Sequence, residues 1–256
     1  MLNEIQETPY GIKKRLQFIY REITKSLNNV EDKSKIRVLD IGCGTGDLIT
    51  IPLGSLGVTV LGIDTHLSSI EHARKKNPFK NVQFEHMPIE GLADQQFDFI
   101  ICSEVLEHLS EPIIMLKLIK GFLEYDGICI ITIPNGYSLK EIEVRIYKAI
   151  SSLGLASLLR YLGKPVKKVE RPFGLKDTLS KESPHIQSFP MGRFKSLLEK
   201  CELSIVKREN RRFLDGFLVN RIFSTSKVLT NWNVSVANKI PYPLASSWMF
   251  LVEHKR

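Results

Sequence analysis

Val38–Asp47 reads VLDIGCGTGD, and the apolar run that follows at Val58–Asp64, VTVLGID, ends in an acidic residue. A buried strand running into Gly42, Gly44 and Gly46, followed by a strand closed by the carboxylate of Asp64, is the plan of a nucleoside-cofactor site at the edge of a parallel sheet. The glycines let the backbone turn sharply against a ligand with no Cβ in the way, and Asp64 can accept hydrogen bonds from both ribose hydroxyls. Spacing then excludes one cofactor class. A dinucleotide fingerprint G-x-G-x-x-G begun at Gly42 would put its third glycine at position 47, which is Asp47. A pyrophosphate would meet a carboxylate there, so a nicotinamide dinucleotide is not expected.

The run G-x-G-x-G preceded by Asp40 instead resembles motif I of the class I S-adenosylmethionine (SAM)-dependent methyltransferases. The cationic sulfonium and ammonium of SAM tolerate nearby negative charge.

Strand and helix signals alternate along the chain. Strands are expected at Ile36–Ile41, Val58–Ile63, Val82–His86, Phe97–Cys102 and Gly127–Ile133, with Asp126-Gly127 as the turn into the fifth. Helices are expected at Tyr10–Leu27, Leu48–Leu56, Ser68–Lys76, Val105–Leu109, Pro112–Glu124 and Met191–Lys200, with two further strands at Leu203–Glu209 and Ser247–Glu253. This order predicts an α/β fold with a doubly wound, seven-stranded sheet and a helical insertion after strand five, which the resemblance implies is the Rossmann-like methyltransferase sheet. At 256 residues and 43% hydrophobic the chain suits one domain, 1–256, with residues 1–35 as an N-terminal helix and linker and 136–184 as the insertion. The first part of the insertion, through Leu162, is apolar on one face; the second is basic and contains Pro165, Pro172 and Pro184. Standing beside strand five, it would act as a lid or substrate wall.

Cys43, Cys102, Cys129 and Cys201 lie singly, without metal-ligand spacing or a disulfide framework, and read as buried thiols of a reducing cytoplasm. No secretory leader or membrane-spanning run is evident. The net charge of +8 favours anionic partners such as nucleic acid, phospholipid surfaces or phosphorylated substrates. The leucine-rich face of Leu139–Leu162 beside Lys164, Lys167 and Lys168 suits peripheral membrane contact, or equally a lid closing over the site.

Past Asp64 the chain reads FDFIICSEVLEHLSEP, Phe97–Pro112. This Glu-x-x-Glu-His run after strand four resembles the ubiquinone-biosynthesis O-methyltransferases. The Arg15–Ile19 segment, Thr132–Asn135 and the His185–Phe189 spacing point the same way. The resemblance covers most of the chain, with a longer insertion here. It implies that Gly42, Cys43, Gly44 and Gly46 cradle the methionine part of SAM near Asp40, that Asp64 and the adjacent Thr65 meet the ribose, that Arg15 pairs with the methionine carboxylate, and that Ser103 lies against the cofactor. Met87-Pro88-Ile89-Glu90 stands where many class I enzymes carry an adenine-binding Asp, so adenine is left to backbone groups and apolar packing.

Glu104, Glu107 and His108 stand at i, i+3 and i+4, which places all three on one face if the segment is helical. Two carboxylates and an imidazole suit Mg²⁺ or Mn²⁺. The resemblance implies such a cation, which would orient an acceptor hydroxyl and lower its pKa. The alternative is a metal-free turn with His108 packed or acting as a base. His185, where the insertion returns to the sheet, is a further ligand or base. The expected activity is methyl transfer to oxygen of a small or lipid-like hydroxylated acceptor. An RNA 2′-O-methyltransferase and a non-catalytic SAM-binding subunit are the rival readings.

Overall fold

In the computed structural model of the chain, the described residues are 7–8, 10–93, 95–138, 152, 186–223 and 225–255. The strands are β1 Arg37–Ile41, β2 Thr59–Asp64, β3 Val82–His86, β4 Phe97–Ser103, β5 Leu123–Pro134, β6 Leu203–Arg212 and β7 Ser247–His254. They form one seven-stranded sheet in the order β3-β2-β1-β4-β5-β7-β6, in which β7 runs antiparallel to both neighbours. The order reverses between β1 and β4, so the carboxyl ends of these two strands flank the crevice where open α/β sheets bind ligands.

Alternation along each strand divides the core. Leu39 and Ile41 of β1 join Ile100 and Cys102 on one face, beneath α4 (Pro112–Phe122) and α5 (Met191–Lys200). Val38, Val60, Phe99 and Ile101 face the other layer, formed by α1 (Ile12–Ser26), α2 (Thr50–Leu53) and α3 (Leu67–Lys76). In α1, Phe18, Ile19 and Ile23 sink into this layer. The i, i+4 pair Ile19 and Ile23 keeps the helix on the sheet, while Arg15, one turn earlier, reaches the sheet's carboxyl edge.

Several expected boundaries shift for identifiable reasons. Strand five begins at Leu123, and Asp126-Gly127 is a bulge within it: pairing passes from Phe97↔Leu123 directly to Phe99↔Ile128. A Cβ at Gly127 would meet the Glu124 carbonyl oxygen at 2.9 Å, so the bulge requires glycine. Leu48–Leu56 is only one α-turn followed by a 3-10 turn at Gly54–Leu56. Between β6 and β7 lie α6 (Phe217–Phe223) and α7 (Lys227–Val236), which are not among the expected helices. The side of α7 set against the protein carries the polar Thr230 and Asn233 beside Val234. The lid expected at Leu139–Leu162, and Lys164, Lys167 and Lys168, lie outside the described residues. Among the described residues no helix is long and apolar enough to cross a membrane.

Candidate cofactor and active site

The loop after β1 is tied to the end of β2: the amides of Gly42 and Cys43 both donate to the Ile63 carbonyl, at 2.9 and 3.0 Å. Gly42, Gly44 and Gly46 all have positive φ, at 68°, 56° and 70°. They differ in what surrounds them. A Cβ at Gly42 would meet Val105 at 2.7 Å and one at Gly46 would meet the Phe84 ring at 2.5 Å, so these two let the loop pack on the protein. At Gly44 no described residue lies within 4 Å of that position. Its missing Cβ leaves open the space a ligand would take.

Asp64 stands half-buried at the tip of β2 with both carboxylate oxygens oriented by backbone donors: Gly44 N–H to Oδ2 and His66 N–H to Oδ1, each at 2.8 Å. Each oxygen keeps acceptor capacity for a ribose hydroxyl. Thr65 follows, exposed, its carbonyl within 3.0 Å of the His86 ring. Asp40 is buried beneath the loop and accepts a 2.6 Å hydrogen bond from Thr50 Oγ1. Burial pushes its carboxyl up to about 7, against the pull of Thr50 and Arg15. The Cys43 thiol is likewise pushed up, chiefly by burial and then by Asp40 and Asp64, and does not serve as a thiolate.

Arg15 comes from α1 into the same crevice. Burial and the neighbouring Arg211 lower its guanidinium to about 10, while Glu104, Asp40 and Glu107 act to raise it. It therefore remains charged at neutral pH. Among the described residues its guanidinium makes no hydrogen bond or ion pair, so its donors remain available to a ligand. Such a cation, close enough to Glu104 and Asp40 to feel their charges, suits the carboxylate end of an amino-acid nucleoside. The fit with SAM rests on these three observations: open space at Gly44, acceptors on Asp64 and unspent donors on Arg15.

The end of β4 departs from the expected helical face. Glu104 takes a left-handed conformation, φ 58°, its amide donating to the Thr132 carbonyl at 3.0 Å, and only Leu106–His108 form a 3-10 turn. A left-handed residue followed by a 3-10 turn breaks the i, i+3, i+4 stacking, so the three side chains are not presented together on one helix face. The Glu104 carboxylate turns instead to Arg211 Nη2 at 2.9 Å and accepts from Thr132 Oγ1 at 3.0 Å. Although burial pushes it up, Arg211 and Arg15 hold this carboxyl down at about 2. Ser103 Oγ completes the chain at 2.9 Å from Thr132 Oγ1. Glu107 is buried and His108 half-buried beside the turn. Among the described residues no three His, Cys, Asp or Glu side chains are grouped to hold a metal ion. With Glu104 committed to a guanidinium, the described residues do not fit the Mg²⁺ or Mn²⁺ expected from Glu104, Glu107 and His108, and no chemistry is derived through such a cation. His185 lies outside the described residues. The chain immediately after it is docked here, Ile186 and Gln187 donating to the Glu107 carbonyl at 3.1 and 3.2 Å.

Arg211 is the site residue that sequence reasoning missed. It lies near the end of β6, its side chain only 4% exposed, and its Nε donates to Ser247 Oγ at 2.9 Å. In sequence it belongs to an unremarkable basic run, ENRRF, and only strand pairing carries it to Glu104. Thr50 was missed similarly, as an ordinary first-turn residue.

A family model described as a methyltransferase domain matches residues 13–208. The ubiquinone biosynthesis O-methyltransferase of Rickettsia felis is 37% identical over 125 residues, covering 47% of this chain and 49% of that protein. The chain spans about half the length of the curated relatives it matches. Among solved structures, an S-adenosylmethionine-dependent methyltransferase from Clostridium acetobutylicum superposes with a TM-score of 0.58 at 14% identity, over 99% of this chain and 94% of that one. Magnesium protoporphyrin IX methyltransferase from Synechocystis, with bound SAH, gives 0.53 at 16% identity, over 94% and 84%. At these identities the structural likenesses speak for the fold.

Proposed function

We propose, for a chain that belongs to the methyltransferase-domain family, that it moves the sulfonium methyl of SAM to a hydroxyl oxygen of a small or lipid-like acceptor. The observation that carries the cofactor part is the geometry of Asp64, held by Gly44 and His66 with an acceptor left on each oxygen at the carboxyl end of β2, the strand next to β1. Oxygen as the receiving atom is supported by the relatives named for ubiquinone biosynthesis O-methylation.

SAM, when bound, supplies an electrophilic methyl carbon on a positively charged sulfur. Arg15 binds the carboxylate end, Asp64 binds the ribose, and the loop at Gly44 lets the backbone lie against the cofactor. Rate enhancement then comes mainly from holding the acceptor oxygen in line with the methyl group. A carbon–oxygen bond forms as the carbon–sulfur bond breaks. The acceptor's hydroxyl proton goes to an imidazole, for which His108 on the turn after β4 and His185 are the candidates. Arg211 holds Glu104, so that the strand-four turn keeps its shape without a cation.

The test is incubation of the protein with methyl-labelled SAM and separate small-molecule, lipid and RNA extracts. Label in a hydroxylated small molecule or lipid is the expected result. Label only in RNA, or none in any pool with SAM binding intact, would overturn the acceptor or the enzymatic reading respectively.

A further inference from the structure

The helix α7 buries two polar side chains, Thr230 and Asn233, beside Val234, while leaving large apolar side chains exposed. The buried polar groups are satisfied: Asn233 exchanges hydrogen bonds with the Leu214 backbone, at 2.7 Å from the amide and 2.9 Å to the carbonyl, and Thr230 Oγ1 donates to the Phe223 carbonyl at 2.8 Å. The outward stripe of the helix is apolar. Val228 is 77% exposed, Trp232, one turn on, is 47% exposed, Leu229 lies between them, and Ile222 at the end of α6 is 58% exposed. Trp232 is not loose, because it stacks on Phe223 and meets Phe213 edge-on, at centroid distances of 6.3 and 6.2 Å. The fold thus uses directional hydrogen bonds to hold large apolar side chains in water, an arrangement that calls for a partner.

Chemistry next to this stripe indicates which partner. At 3.6 residues per turn, Lys227, Asn231 and Ser235 occupy the neighbouring stripe of α7, and they line a cavity of about 530 Å³ between α7 and α1. Lys13, Lys14 and Arg21 of α1 bring three more cations into it, against the carboxylates of Glu7 and Glu209. Arg21 is spent on Glu22 and Glu209, and Lys14 Nζ donates to the Val234 carbonyl and Asn238 Oδ1, both at 2.9 Å. Lys13 and Lys227 have no carboxylate partner among the described residues. An apolar stripe with an interfacial tryptophan, bordered by a cationic hollow, is complementary to an anionic lipid surface.

We propose that α7 and the end of α6 dock on an anionic phospholipid bilayer, with Ile222, Val228, Leu229 and Trp232 entering the boundary between headgroups and acyl chains and lipid phosphates meeting Lys13 and Lys227. The residues of this surface are other than the Leu139–Leu162 stretch suggested by the sequence, and the proposal is independent of the methyl-transfer reading. The surface also adjoins the site through α1, which carries Lys14 to the cavity and Arg15 to the neighbourhood of Asp40 and Glu104.

The chain has two tryptophans, and Trp248 is 1% exposed, so a change in emission on adding lipid reports on Trp232. The full chain is titrated with phosphatidylglycerol vesicles and with phosphatidylcholine vesicles at low salt. A blue shift, quenching by brominated acyl chains and flotation with the anionic vesicles alone are expected. Val228→Glu and the pair Lys13→Glu, Lys227→Glu should each weaken binding at least tenfold with the thermal midpoint unchanged; Trp232→Ser, which also removes a ring contact, is a supplementary variant. No blue shift with anionic vesicles, equal binding to phosphatidylcholine, or full binding by Val228→Glu would overturn the proposal. So would a blue shift that appears without lipid on concentrating the protein, together with doubling of its mass, which would assign the stripe to a second copy of the chain.

Discussion

The guanidinium of Arg211, near the end of β6, and the carboxylate of Glu104, just past the end of β4, meet at 2.9 Å across the carboxyl edge of the sheet. Arg211 is almost wholly buried and Glu104 is 26% exposed, so the cation depends on this carboxylate for charge compensation. Glu104→Ala should therefore destabilise the fold by about 3–5 kcal/mol, the usual cost of stranding a buried charge. Replacing both by apolar residues, as in Glu104→Met with Arg211→Met, should recover part of that loss in urea unfolding. Glu104 is held at about 2, below its ordinary value of 4.5. Its contribution is complete above pH 4.5 and disappears as pH falls towards 2, so wild type should lose more stability over that window than the double variant.

Because Glu104 is engaged with Arg211, methyl transfer is expected to persist after exhaustive chelation. It should instead fall with acid through an imidazole titration near ~6.5. Loss of activity on chelation with recovery on adding Mg²⁺ or Mn²⁺ would contradict this assignment. If His108 is the base, His108→Ala removes the acidic limb of the pH–rate profile while leaving SAM affinity intact.

Gly44 and Gly46 should separate ligand binding from folding. Gly46→Ala would drive a methyl into Phe84 and should lower the unfolding midpoint markedly. Gly44→Ala meets no described residue and carries only the left-handed backbone cost of about 1–2 kcal/mol. It should remain folded yet bind SAM at least tenfold more weakly by calorimetry.

Asp64→Ala should cost SAM binding on the order of 1.5–3 kcal/mol, the worth of hydrogen bonds to a charged group, with no detectable NAD binding in either protein. Unchanged SAM affinity in that variant would remove Asp64 from the site.

Asp40 imposes a pH dependence of opposite sign to Glu104. Its carboxyl rises from 3.8 when unfolded to about 7 in the fold, so the native state favours the proton. Stability is greatest below pH 4 on this account and declines as pH rises to about 7, by at most about 4 kcal/mol. Asp40→Asn preserves a carbonyl acceptor for Thr50 and should abolish this slope, leaving the variant at least as stable as wild type at pH 8 in thermal unfolding.

The sequence by itself determined the parts of this protein that depend on neighbours along the chain. Strand periodicity, the glycine spacing after β1, Asp64 at the end of β2 and the alternation of strands with helices all record local constraints, and from them the sheet and the crevice at its carboxyl edge were legible. Even the bulge in β5 had a local mark in Asp126-Gly127, although whether it turned or bulged depended on β4 beside it. Only the tertiary structure decided what long-range pairing places together. The left-handed turn at Glu104 and the arrival of Arg211 from β6 converted an apparent row of ligands into an ion pair, because a side chain's partner is set by strand register and not by its spacing within a motif. The same reason hid the packing of α7: Asn233 and Thr230 find Leu214 and Phe223 only after the chain has folded, so the apolar stripe of Val228, Leu229 and Trp232 could not by itself show which way it faces.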